Sequence, residues 1–255
     1  MLKALFLDMD ETLCNTLAAN ALATEKLGQL AEQTIRPQTD DAQTSAPIDG
    51  QRFAEAYVAG IYRMWSDSER AKYLPLAERS EQGYRLQLAR DLLAQQHILD
   101  VAKPVAQSFL DCFDNERLAA LEFYPGIVDF LINAKKHFTL VVITNGPEYS
   151  QIPKIAKLQM AKYVDHIIIG GQEPEQKPAR SIFEKALSLA NCDAHEAIHV
   201  GDSLAADIAG AHSANITSVW IQHQQPLDAE LGINPNHTLL SPDEIPALIQ
   251  ELHPH

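Results

Sequence analysis

Residues 3–8 read KALFLD, and the chain continues Met9-Asp10-Glu11-Thr12. A short apolar run that ends abruptly in acid predicts a strand buried on both faces, as in the middle of a parallel sheet. Similar runs recur far downstream at 139–144 (TLVVIT), 166–170 (HIIIG), 197–201 (AIHVG) and 217–221 (TSVWI), with a last short strand near His237–Leu240. Helical patterns lie between them. One starts at Pro125 and carries Val128, Leu131 and Ile132 on one side; another at 178–190 spaces Ile182, Ala186 and Leu189 for one face. A third covers 204–212, and a closing helix runs from Pro242 to about Leu252. The alternation predicts an α/β fold: a Rossmann-like parallel sheet with helices on both faces.

Residues 14–122 break the alternation. Leu17, Ala21, Thr24 and Leu27 line one helical face, and Phe53, Tyr57, Ile61 and Trp65 a second. Leu88, Leu92 and Leu99 mark a third, and Val105, Phe109 and Phe113 a fourth. An all-helical domain at 14–122 is therefore predicted inside a core made of 1–13 and 123–255. Residues 36–50, polar with two prolines and a closing glycine, read as a mobile loop within the insert.

The formal charge of −14 comes from 20 basic and 34 acidic residues, with no basic block. Such a surface repels a nucleic-acid backbone. It also repels phosphorylated small molecules, so a site for one must carry its own positive charge. Cys14, Cys112 and Cys192 have no CxxC spacing, which argues against a disulfide scaffold and a zinc site. Asp8 follows too soon after Lys3 for a signal-peptide core, and no apolar run approaches the ~18 residues of a membrane span. A cytoplasmic setting is expected.

Ligands of open parallel sheets bind at the carboxyl ends of the strands. Here those ends deliver Asp8, Asp10 and Thr12, then Thr144-Asn145-Gly146, then Gly201-Asp202-Ser203. Carboxylates gathered on one rim need a cation, and oxygen ligands alone favour magnesium over zinc.

Asp8-x-Asp10-x-Thr12 after its strand resembles the first motif of the haloacid dehalogenase superfamily. Thr144-Asn145 resembles the second, Lys177-Pro178 the third, and Gly201-Asp202-Ser203 with Asp207, Gly210 and Ala211 the fourth. A lone DxDxT means little; all four in order, each in its expected context, carry the resemblance. It implies that Asp8 attacks phosphorus and also binds magnesium. Asp10 binds the metal through its backbone carbonyl and acts as general acid and base through its carboxyl. Asp202 is a metal ligand, while Ser203 and Asp207 hold metal-bound waters or orient the ligands. Thr144 and Asn145 bind phosphoryl oxygens, a helix starting at Pro147 turns N–H groups toward them, and Lys177 supplies fixed charge. Thr12 braces the turn. His199, inside an apolar run, reads as a hydrogen-bonded core residue, and Cys14 is assigned no role.

The resemblance implies a magnesium-dependent phosphatase acting on a small phosphate ester, with the helical insert as its cap domain. The DMDETL wording is nearer to nucleotidase-like and N-acylneuraminate-9-phosphatase-like members than to DxDGT sugar phosphatases. That leaves a nucleoside monophosphate or a sugar phosphate as substrate. A phosphomutase, a 2-haloacid dehalogenase and a non-catalytic phosphate-ligand-binding protein are the alternatives. Asp10 argues against the dehalogenase. Oligomeric state is left open.

Overall fold

The structure, a computed structural model, describes residues 1–35, 48–223, 225–226 and 232–253. Most of the predicted loop, residues 36–47, lies outside it. The chain divides into two compact units, Met1–Thr16 with Leu121–His255, and Leu17–Ala120.

The first unit holds β1 (Ala4–Leu7), β2 (Thr139–Thr144), β3 (His166–Ile169), β4 (Ala197–Gly201), β5 (Thr217–Ile221) and β6 (His237–Leu239). They form one parallel sheet in the order β3-β2-β1-β4-β5-β6. Ala4 and Phe6 pack with Val141, Ile143, Ile182 and Phe183 on one face. Leu5 and Leu7 point to the opposite face and are equally buried, so both sides of the sheet are covered. Successive strands run outward from β1 to one edge, then restart at β4 on its other side. The direction switches at the carboxyl ends of β1 and β4, the place where open parallel sheets bind ligands.

Ten α-helices are described: α1 (Thr16–Thr34), α2 (Gly50–Ile61), α3 (Asp67–Arg79), α4 (Glu81–Gln95), α5 (Lys103–Ala120), α6 (Ile127–Ala134), α7 (Glu148–Lys157), α8 (Arg180–Ala190), α9 (Ala209–Ser213) and α10 (Ile245–Leu252). A π-helical turn at Leu204–Ile208 leads into α9. The chain crosses between the units on paired backbone. Tyr124 N–H donates to the Leu13 carbonyl at 3.0 Å and Asn15 N–H to that of Glu122 at 3.1 Å. Residues 13–15 and 122–124 therefore belong with the sheet.

The helical unit is built on Phe53, Tyr57, Tyr84, Phe109 and Phe113, all fully buried. Asp49 caps α2 by accepting from Arg52 N–H, and Ser66 and Glu69 form a capping box on α3. Arg85 forks onto Asp114 at 2.8 and 3.0 Å and onto the Tyr57 hydroxyl at 2.9 Å, tying α4 to α5 and α2.

Several predicted faces are rotated. Leu17 and Ala21 are exposed, and α1 instead buries Ala19, Ala23, Leu27 and Ala31. Leu99 lies past the end of α4 and is 71% exposed. In α6 the buried side is Ile127, Phe130, Leu131 and Ala134, leaving Ile132 outside, and in α8 Phe183 replaces Leu189. In α1, α6 and α8 a pattern begun one residue early or late selects a neighbouring stripe, whereas in α4 Leu88 and Leu92 are buried as predicted and only Leu99 falls outside the helix.

Candidate active site

Asp8 leaves β1 still paired: its N–H donates to the Val200 carbonyl at 2.9 Å. The next turn closes on itself. Leu13 and Cys14 N–H groups both reach the Met9 carbonyl, Glu11 N–H reaches that of Cys14, and Glu11 sits at φ +57°. Tyr124 Oη donates to the Glu11 carboxylate at 2.7 Å. Asp8 and Asp10 are thus fixed relative to the strand.

Lys177 arrives from the segment before α8. Asn145, just past β2, grips its backbone at two points: Nδ2 donates to the Lys177 carbonyl at 2.9 Å, and Oδ1 accepts from its N–H at 3.0 Å. The ammonium is 1% exposed and donates to Asp8 Oδ1 (2.5 Å), Asp207 Oδ1 (2.7 Å) and the Ile143 carbonyl (2.6 Å). Three separate chain segments therefore meet at one cation. Asp207 also accepts from Ser203 N–H at 3.0 Å and bonds His199 Nε2 at 2.9 Å. Burial holds the pKa of His199 down, so its imidazole is neutral and donates from Nε2. Gly201 is required here, because a Cβ would lie 2.2 Å from Asp207 Cγ.

Asp8, Asp202 and Asp207 offer oxygens all within 4.8 Å of one another. Burial pushes the Asp8 carboxyl up to about 7 against the pull of Lys177, with Asp207 and Asp10 adding repulsion. Burial likewise raises Asp202 to about 8, helped by Asp8 and Asp207. Asp207, despite burial, is driven well below the carboxylate range by Lys177 and His199. Three carboxylates against one ammonium leave an unmet demand for positive charge, and the donors are all oxygen. These residues fit a magnesium ion. Asp8 and Asp202 are the pair that could hold it, because both Asp207 oxygens already have partners.

Asp10 is gripped separately. Burial favours its neutral form, but Lys154 outweighs that and holds its pKa below the ordinary value. Lys154 Nζ lies 2.7 and 2.6 Å from the two carboxylate oxygens, Thr16 Oγ1 donates to Oδ1 at 2.5 Å, and Gln151 Nε2 to Oδ2 at 3.2 Å.

Three predicted residues have surroundings that the sequence reading did not foresee. The Asn145 side chain bonds the Lys177 backbone through Oδ1 and one Nδ2 hydrogen, and the second Nδ2 hydrogen is not used in that pair. Ser203 Oγ accepts from Ala206 N–H as a helix cap, and it is the Ser203 backbone that orients Asp207. Thr12 Oγ1 is buried with no hydrogen-bond partner among the described residues, so its hydroxyl braces no turn. Thr144 is buried at the end of β2, its hydroxyl 3.4 Å from the Asn145 carbonyl. α7 begins directly after Pro147. Sequence reasoning missed Thr16, Gln151 and Lys154. Nothing local marked them: Gln151 and Lys154 stand one turn apart on α7, as solvated helix residues would.

A family model for haloacid dehalogenase-like hydrolases matches residues 2–215. The glyceraldehyde 3-phosphate phosphatase of Pyrococcus abyssi is 30% identical over 224 residues, 88% of this chain and 82% of that protein. The N-acylneuraminate-9-phosphatase of Rattus norvegicus is 28% identical over 151 residues, 59% of this chain and 61% of that protein. A crystal structure of 2-haloacid dehalogenase from Pseudomonas syringae superposes with a TM-score of 0.63 at 24% identity, covering 99% of this chain and 100% of that one. That last likeness speaks to the fold alone. Among the described residues no helix is long and apolar enough to cross a membrane.

Proposed function

The chain belongs to the haloacid dehalogenase-like hydrolases, and on that premise we propose that it is a magnesium-dependent phosphatase that passes a phosphoryl group from a small phosphate ester to Asp8 and then to water. The observation that carries this is the meeting of Asp8, Lys177 and Asp207 at one buried ammonium, with Asp202 alongside. A nucleophile, a fixed charge and an acidic cation site are what phosphoryl transfer requires. Asp10, two residues from the nucleophile, favours a phosphatase over the dehalogenase reading.

Asp8 Oδ attacks phosphorus as the ester P–O bond breaks, and the departing oxygen takes a proton from Asp10. Water then attacks the phosphorus of the Asp8 acyl phosphate and gives a proton back to Asp10, which frees phosphate and restores Asp8. Asp10 rests ionised beside Lys154, so it takes one proton from solvent as the phosphate dianion binds, passes it to the departing oxygen, and releases the proton it later receives from water back to solvent. Lys177 holds Asp8 and offsets charge on the transferring group, and Asn145 keeps Lys177 in place. Asp207, fixed by His199 and Ser203, anchors Lys177 from behind. Magnesium, held by Asp8, Asp202 and the Asp10 backbone carbonyl, would supply further charge neutralisation at the phosphoryl oxygens.

On this reading Leu17–Ala120 is the cap domain that selects the substrate. Of the two substrate classes left open by the sequence, the relatives named for glyceraldehyde 3-phosphate and N-acylneuraminate-9-phosphate support a sugar-type phosphate. The three free cysteines agree with a reducing, cytoplasmic setting.

The test is phosphate release from p-nitrophenyl phosphate and a panel of sugar phosphates, with and without magnesium. Release should require magnesium and vanish in Asp8→Asn. Full activity in chelator, or in Asp8→Asn, refutes the mechanism. Halide release from a haloacid without metal would make the protein a dehalogenase, and isomerised sugar phosphate in place of free phosphate a mutase.

A further inference from the structure

Lys154 is a buried cation that neither the four motifs nor the carboxylate cluster requires. Resting on the phosphatase reading above, we propose that Lys154 is the positioning residue of the acid/base carboxyl, fixing Asp10 in one orientation before substrate arrives. Its ammonium spans both Asp10 oxygens at 2.7 and 2.6 Å. Thr16 completes the grip on Oδ1 and Gln151 on Oδ2, and the same Gln151 amide donates to the Asn145 carbonyl at 2.6 Å. Asp10 is thereby tied to the strand end that also holds Lys177.

The exposure pattern supports the assignment. The Lys154 side chain is 3% exposed, while that of Asp10 is 28% exposed, so the carboxylate faces outward with a hidden cation behind it. α7 turns Gln151 and Lys154 inward and leaves Tyr149 and Ile152 nearly half exposed. That inverts the ordinary amphipathic arrangement. Burying an ammonium carries a desolvation cost that an apolar side chain would avoid. A carboxyl that must meet a leaving oxygen in one geometry gives a reason to bear it.

The test compares kcat/KM for phenyl phosphate and p-nitrophenyl phosphate in magnesium. Nitrophenolate departs without needing a proton, whereas phenolate benefits from one. Lys154→Met should lose about a hundredfold on phenyl phosphate but less than about fivefold on p-nitrophenyl phosphate, and Lys154→Arg should recover most of the difference. In an Asp10→Asn background, adding Lys154→Met should change phenyl phosphate turnover by less than about twofold, since the lysine acts through Asp10. Equal loss on both esters, or a full further loss in the Asp10→Asn background, overturns the assignment. If Lys154→Met does not fold, Lys154→Gln carries the same comparison. Wild type inactive on both esters refutes the phosphatase reading and this inference with it; an active wild type without the leaving-group split refutes this inference alone.

Discussion

Magnesium and protons should compete for the same carboxylates. In the metal-free protein Asp8 titrates at about 7 and Asp202 at about 8, while Asp10 and Asp207 are already ionised. A cation seated between Asp8 and Asp202 needs both deprotonated. At pH 6 each ion bound should therefore release close to two protons, and at pH 8.5 only about 0.3. Apparent affinity should rise about a thousandfold between those two pH values, or about 4 kcal/mol. The stability sign is consistent. Both carboxyls lie above their unfolded-state values, so their contribution is fully present below about pH 4 and is lost as pH rises through about 7 and 8. Added magnesium should raise the melting temperature far more at pH 8.5 than at pH 6. Titration calorimetry in two buffers of different ionisation heat, at each pH, gives both affinity and proton count. Equal affinity at the two pH values with no proton release would refute the placement of the ion between Asp8 and Asp202.

Lys177→Met strands Asp8 and Asp207 without their ammonium. Removing one partner of such a buried pair should cost about 3–5 kcal/mol by urea denaturation, less at pH 5 than at pH 8.5 because Asp8 and Asp202 are then neutral. Gly201→Ala forces a methyl into the Asp207 carboxyl, and should cost about 1–3 kcal/mol together with most of the turnover, measured by melting and phosphate release. Arg85→Met removes the fork onto Asp114 and the bond to Tyr57 in the helical unit, and should cost about 2–3 kcal/mol in the same denaturation assay.

The sheet was legible because strands buried on both faces need continuous apolar runs, and every run read from 3–8 to 237–240 is a strand of the sheet. The strand-end carboxylates were legible for the same reason: each polar motif follows directly on an apolar run. Asp8, Asp202 and Asp207 converge although some two hundred residues separate the first from the others. Helix faces were less legible. A period of 3.6 leaves the stripe ambiguous when small residues abound, as in α1, where Ala19 and Ala23 are buried in place of Leu17 and Ala21. Partners of the motif residues were least legible. Nothing local distinguishes Lys154 from a solvated helix lysine, because its role is set by Asp10, far away in the chain. Asn145 carries a motif position, yet its amide also bonds the Lys177 backbone at two points, a choice that depends on where the segment before α8 returns.

The most direct measurement is covalent trapping. Protein mixed with p-nitrophenyl phosphate and magnesium is quenched in acid, reduced with borohydride and digested for peptide mass spectrometry. An aspartyl phosphate would be recovered as homoserine, and it is expected at residue 8 alone and only when magnesium is present. Homoserine at another aspartate, or phosphate release with no modified residue 8 at any quench time, would contradict the assignment of Asp8 as the nucleophile.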